Sequence, residues 1–268
     1  MLRLASILAK ENNLNMLEFI RIWGIENFRD EDYEPYKTDD GKEFPSIVEK
    51  VIGQASKKAA ESSNSKLHAY INPYLEDAIK RFPENIWLRW NKAKILVAMG
   101  DCDKALPIAS EFAKLKSNEY WVWELLGDIS KEINNDLSLS CYCKALLCNP
   151  TDKFSAKVRT KLAQLLIAID KHTNAKYEID KILASKKTEG NKIPHDIELM
   201  ISQNWYTTTI ALDSNREFYN SNIEQAENLV YADISWLNAN LGETFQSPKT
   251  RKSMRKLYIE DSSNKYPQ

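Results

Sequence analysis

Trp123-Glu124-Leu125-Leu126-Gly127, followed by Ser138, Tyr142, Ala145 and Pro150, is the stretch whose reading decides the fold. The argument is one of packing. Small residues at Gly127 and Ser138, one on each of two successive helices, let antiparallel helices approach closely. Trp123, Leu126 and Tyr142 supply the large apolar surface that fills the groove between them. Pro150 stops the second helix, because a proline ring removes a backbone donor and clashes with the preceding turn.

The pattern returns on both sides. The small residue of the first helix appears as Ala93, Gly127 and Ala163, at steps of 34 and 36 residues. The second helix carries Ala78, Phe112, Ala145 and Ile182 at steps of 34, 33 and 37, and its upstream small position reads Ala105, Ser138 and Ala175 at steps of 33 and 37. Three positions sharing one period, with Trp-x2-Leu-Gly, small, aromatic, small and Pro in order, resemble the tetratricopeptide repeat (TPR), whose unit is about 34 residues.

The match is uneven. The unit at 117–150 is good, though one residue short in the turn Asn134-Asn135-Asp136. The unit at 86–116 keeps Ala93, Leu96, Gly100-Asp101, Ala105 and Ala109, but has Arg89 in the Trp position, flanked by Trp87 and Trp90. It also carries Pro107, which costs about 3 kcal/mol in a helix interior and is tolerated in a first turn. Its closeness to Gly100-Asp101 places it in a first turn. The unit at 154–188 keeps Leu162, Ala163, Leu166, Ala175, Ile179 and Ile182 and lacks the aromatic. The resemblance covers 67–188. It implies an all-α fold, a TPR-like right-handed superhelix of antiparallel helix pairs with an N-terminal helical extension.

Composition bounds the alternatives. Only 7 Gly in 268 residues, with abundant Ala, Leu, Lys and Glu, favours helix over sheet. The formal net charge of −1 argues against a non-specific nucleic-acid binder, which needs a basic excess to neutralise phosphates. Charge is locally uneven, acidic at Asp30, Glu31, Asp32, Glu34, Asp39, Asp40 and Glu43, and basic at Lys249, Arg251, Lys252, Arg255 and Lys256. Cys102, Cys141, Cys143 and Cys148 form no Cys-x-x-Cys pair and have no nearby His, so no metal site is expected and buried reduced thiols are. Leu2–Ala9 is too short and too interrupted for a signal peptide, and no apolar run approaches the roughly 20 residues that span a bilayer. A cytoplasmic protein without membrane partners is the expectation.

Four regions follow. Residues 1–65 form an N-terminal segment: helical over 1–28 with a break at Asn12-Asn13, then a polar acidic loop over 29–45, then a helix of 47–61. Ser46 and Glu49 supply a capping box for that helix. Residues 66–188 hold the repeats. Residues 189–241 read as a degenerate repeat or capping pair, with helices at 195–212 and 216–241, the second on a stripe of Ile223, Ala226, Leu229, Val230, Ile234, Leu237 and Leu241. Residues 242–268 read as a mobile basic tail. It stops without a clear structural end, which suggests part of a longer protein. Trp23-Gly24-Ile25-Glu26-Asn27-Phe28 through Asp40-Gly41-Lys42 and Pro45-Ser46 also resembles N-terminal segments of bacterial TPR proteins from conflict or defence gene clusters.

Signs of catalysis are missing from the sequence. It has no Gly-x-Gly-x-x-Gly, Walker loop, Gly-x-Ser-x-Gly or His-Glu-x-x-His, so neither enzyme nor cofactor is expected. His68, His172 and His195 are scattered and read as solvated. Asp30, Asp32 and Glu34 lack the Gly and closing Glu of a calcium loop.

A binding groove remains. In a TPR array the first helix of each unit lines the concave face, which here implies Trp87, Trp90 and Lys94, then Trp121, Glu124 and Asp128, then Lys157, Thr160, Lys161 and Gln164. The tryptophans serve either as inter-repeat packing or as anchors for a peptide. Lys157 and Lys161 fall on two positions of the clamp by which some TPR proteins grip a chaperone C-terminus. Trp90 and Leu125 occupy the matching positions upstream, so that clamp is incomplete. The expected function is a non-catalytic scaffold binding a peptide or protein. The alternative is a nucleic-acid-associated accessory module of a larger bacterial defence protein, for which the basic tail speaks.

Overall fold

The computed structural model describes residues 1–37, 40–148, 150–235, 237–248 and 251–259, with backbone alone at 152 and 153. Asp39 of the acidic segment, Lys249 of the basic one and residues 260–268 of the expected tail lie outside the described residues. The chain packs as two units, 1–230 and 231–268.

The first unit is helical apart from one short ribbon. Helices α1 (Leu2–Lys10) and α2 (Met16–Trp23) are split at Asn12, which takes a positive φ of 59°. The acidic segment is more ordered than a loop. It makes a short 3-10 turn at Asp30–Tyr33 and a two-stranded ribbon, β1 (Tyr36–Lys37) with β2 (Glu43–Phe44). Next come α3 (Ile47–Ala60) and α4 (Ser65–Arg81). Ser46 Oγ accepts the Glu49 N–H at 3.0 Å, capping α3 as expected. The Glu49 carboxylate, however, turns away from the cap to accept from Asn85 Nδ2 at 2.7 Å. One apolar core runs from Leu2 through α3 and α4 to Ile95, so the boundary expected at residue 65 falls inside it. His68, expected in solvent, is fully buried there. Its Nε2 lies 3.0 Å from Ala59 O and 2.8 Å from Ser62 O, tying the end of α3 to the start of α4.

Three antiparallel pairs follow: α5 (Ile86–Ala98) with α6 (Cys102–Leu115), α7 (Tyr120–Lys131) with α8 (Asn135–Leu147), and α9 (Asp152–Ala168) with α10 (His172–Glu189). Each packs on the next, giving the all-α helical repeat. The contact that sets the pairing is at Gly127. A Cβ built there would lie 2.3 Å from the Tyr142 ring, well inside van der Waals contact. Ser138 Oγ donates to Gly127 O at 2.8 Å and Tyr142 OH to Asp128 Oδ1 at 2.8 Å. Pro107 is not in a first turn. It is the sixth residue of α6, because that helix starts directly after Asp101, so Asp103 O loses its intrahelical donor.

The expected pair of long helices after 189 is replaced by shorter pieces. Helix α11 (His195–Ile201) buries Ile197 and Met200 against Ala163, Ile179 and Ile182, closing the end of the third pair. Then come α12 (Asn204–Thr208), α13 (Arg216–Asn220) and α14 (Glu224–Tyr231). Together they form a strap that returns over the repeats. The Ala226 N–H donates to Ser140 Oγ on α8 at 2.9 Å, and Lys144 Nζ meets Glu227 Oε1 at 2.5 Å.

The second unit holds an antiparallel hairpin, β3 (Ala239–Gln246) with β4 (Ser253–Ile259), bulged between Leu241 and Thr244. Leu241, expected at the end of a helix, lies in β3, and the segment from 242 to 259, expected as mobile tail, supplies most of the hairpin. Gly242 and the Ser247-Pro248 turn end helical periodicity, and the β-branched and aromatic content of Thr244, Phe245, Tyr258 and Ile259 suits a strand instead.

Gly127→Leu should lower stability by about 1–3 kcal/mol, the usual cost of overpacking. Urea unfolding measures it, and an unchanged midpoint would show that Gly127 and Tyr142 do not touch.

Candidate functional site

The first helices carry an aromatic ledge. Trp87 and Trp90 on α5, Phe112 on α6 and Trp121 on α7 form one cluster. Trp90 stacks on Phe112 with ring centres 4.5 Å apart and meets Trp121 edge-on at 5.0 Å. It is only 6% exposed, so the anchor role expected for Trp90 gives way to packing between repeats. Trp121 is half-buried by the same neighbours. Trp87 stacks on Trp121 at 6.0 Å yet stays 49% exposed, so the aromatic surface on offer is Trp87 with the flank of Trp121.

The charges sort in the same way. Lys161 Nζ lies 2.6 Å from Glu124 Oε1 and 2.7 Å from Asp128 Oδ1, with its side chain 20% exposed. Lys157 reaches Glu124 at 3.3 Å from a far more exposed position. The two lysines expected to meet acids on a ligand therefore already meet acids of the preceding repeat. Glu124 and Asp128 stand 37 and 33 residues before Lys161, so these ion pairs reach from one repeat to the next. Lys94 differs. It is half-buried, burial pushes its pKa below the ordinary lysine value, and among the described residues it makes no ion pair. Glu61 attracts and Lys57 repels its charge at longer range. Lys157, Thr160, Lys161 and exposed Gln164 line a cleft of about 360 Å³ closed by Ile182, Pro194 and Asp196.

Cys141 and Cys143 are buried and Cys102 and Cys148 half-buried. Burial pushes the Cys141 thiol up to about 12 and the Cys148 thiol to about 11, away from reactive thiolates. Among the described residues no group of three His, Cys, Asp or Glu stands close enough together to hold a metal ion. His172 stacks on Trp205 at 4.8 Å, whereas His195 is exposed beside Glu198.

Residues 86–226 match a family described as a domain of unknown function, DUF7017. The chain belongs to the DUF7017 family. The matched segment starts at the first residue of α5 and ends inside α14, so it takes in the three helix pairs and the strap together. No curated protein matches in sequence. Among solved structures the chain is similar to the MamA RS-1 ArsTM double mutant, with a TM-score of 0.52 and 14% identity over 71% of this chain and 96% of that one. MamA contains TPRs, and the likeness shows a TPR-like fold.

The DUF7017 segment also holds a buried polar network that sequence reading missed. Glu178 on α10 is fully buried. It takes Arg159 Nη1 at 2.6 Å, Asn215 Nδ2 at 2.6 Å and the Tyr219 hydroxyl. Asn174 Nδ2 donates to Asn215 Oδ1 at 2.8 Å. Burial, then the Glu178 carboxylate, pushes the Tyr219 phenol far up, so it stays a donor. Burial opposes the charge on Arg159, and Glu178 and Tyr219 together more than offset it. A signal was present: Glu178 interrupts the apolar stripe Ala175, Ile179, Ile182, where a carboxylate needs a partner.

Arg159→Met should cost about 3–5 kcal/mol, since it strands a buried carboxylate. Adding Glu178→Leu should recover much of that loss in urea unfolding. A double variant no more stable than the single one would show that the stranded charge is not the cause.

Proposed function

We propose that this chain is a non-catalytic interaction scaffold that holds a protein segment on the face of its first helices, at Trp87, Trp121 and Lys94. The observation that carries the reading is the contrast between Lys94 and Lys161. Lys161 is neutralised within the chain, while Lys94 is partly desolvated and makes no ion pair among the described residues. A bound carboxylate would supply what the fold leaves out. Trp87 and Lys94 stand two helical turns apart on α5, about 10 Å at about 1.5 Å per residue. Extended chain covers that in about three residues. The segment that fits carries an apolar side chain and, about three residues away, an Asp or Glu. The TPR-like fold supports a protein partner in general.

Glu124, Asp128, Lys157, Lys161 and Gln164 would then border the site. One observation favours the other reading, a nucleic-acid-associated accessory module of a larger bacterial defence protein. Arg251, Lys252, Arg255 and Lys256 are all exposed on the second unit. Duplex binding that weakens steeply with salt would support it.

Affinity capture with Trp87→Ala and with Lys94→Glu tests the first reading. Trp87 is exposed and Lys94 half-buried, so urea unfolding first checks that each variant keeps its fold. Each should lose at least tenfold of the partner that the parent chain captures and mass spectrometry identifies. Equal recovery by both variants moves the binding site off this face. Lys161→Glu is the wrong probe, because it sets a third carboxylate beside Glu124 and Asp128 and acts on stability first.

A further inference from the structure

The small-residue position Ala93, Gly127, Ala163 fixes the residue four places earlier in each pair: Arg89, Trp123 and Arg159. Trp123 is fully buried, and its Nε1–H donates to Ser117 O, six residues upstream, at 2.7 Å. Its indole lies against α8, with Lys144 Nζ 5.7 Å from the ring centre. Arg89 reproduces the bond without the bulk: Nη2 donates to Pro83 O, also six residues upstream, at 2.7 Å. An open apolar cleft of about 390 Å³ is left beside it, walled by Ile86, Pro107, Ile108, Phe112 and Leu115. The 33-residue step that aligns Phe112 with Ala145 also aligns Glu111 with Lys144 and Leu115 with Cys148, so this cleft is the place an indole fills in the next pair.

The third pair shows what an arginine at this position accompanies. Beside Arg159 an aromatic arrives from elsewhere in the chain: Tyr219 of the strap packs there, its hydroxyl 3.4 Å from Arg159 Nη1. Glu178 supplies the carboxylate. In the first pair the strap supplies neither. The counterpart of Glu178, through Cys141, is Ile108. At the rim Glu111 is paired with Lys114 at 2.7 Å, and among the described residues Arg89 has no acidic partner. Leu115 at the mouth is 63% exposed. The volume lies within the roughly 300–1,000 Å³ of typical ligand clefts.

We infer that the Arg89 cleft is an acceptor for an aromatic side chain of a partner protein, with a neighbouring carboxylate of that partner pairing with Arg89. The site does not rest on the reading of the first-helix face. Arg89 is two residues from Trp87 and so points to a different side of α5.

Indole-3-acetate, an aromatic ring with a carboxylate, is the probe. With methyl-labelled full chain, its shifts should concentrate on Ile86, Ile108 and Leu115, and indole without the carboxylate should bind roughly tenfold more weakly. Arg89→Trp should fill the cleft in cis, raise Tm and abolish the shifts. Leu115→Glu, at an exposed position, should abolish them without touching the helix interface. Shifts absent from those three residues in the parent chain, or unchanged in both variants, overturn the proposal. A parent dimer that dissociates on Arg89→Trp gives the cleft to a second copy and overturns the partner assignment.

Discussion

Close approach of two helices at a residue without a side chain is the constraint on which the repeat region depends. With the Tyr142 ring occupying the space of a Gly127 Cβ, α7 and α8 lock in one register, and Ser138 can bond the Gly127 carbonyl. Everything else on those helices then has a fixed direction. Trp123 must point into the pair, Trp121 toward the preceding pair, and Glu124 with Asp128 toward the following one. Because each pair touches mainly its neighbours, the same geometry propagates along the array.

Such a lattice creates a recurrent demand beside each first helix, and the chain meets it in different ways. Trp123 fills its own position. Next to Arg159 an irregular segment, 195–230, comes back across α8 and α10 and brings Tyr219 and Asn215 to a buried carboxylate. The strap is therefore tied to the repeats by polar bonds as much as by apolar contact. An unpaired buried polar group is costly, and Glu178, Asn215 and Tyr219 each find a partner on another element. That the DUF7017 segment runs to the strap's last anchored turn, at Ala226, fits this mutual dependence.

The repeat core was legible because small residues and large apolar ones recur at a period that few other arrangements produce. Gly127, Ser138 and Tyr142 could be placed from spacing alone. The strap was not legible, since its stabilising contacts, such as Ser140 with Ala226, join residues 86 apart in helices too short for periodicity to show. Leu237 and Leu241 fitted a helical stripe by count, although Gly242 and the following alternation belong to a hairpin. At the candidate site the register placed Trp87, Lys94 and Lys161 on the first helices. It did not show that Trp90 is packed between repeats or that Lys161 is neutralised, because both depend on which side chains of the next pair lie opposite.

That distinction sharpens what a scaffold surface means physically. A position on the right helix face is only a candidate; availability is decided by whether the fold has already satisfied the group. Lys161, with two carboxylates within 2.7 Å, gains little from a third. Lys94 has lost water without gaining an ion pair among the described residues, so the free energy of pairing it is still available to a partner. The same reasoning separates Trp90, whose ring is covered, from Trp87, whose stacking on Trp121 fixes its orientation while leaving about half its surface in water. An aromatic ring held rigid before binding loses little conformational freedom when a partner covers it. On the proposed reading, the groups best suited to recognition on this face are thus the ones the repeat has oriented but not completed.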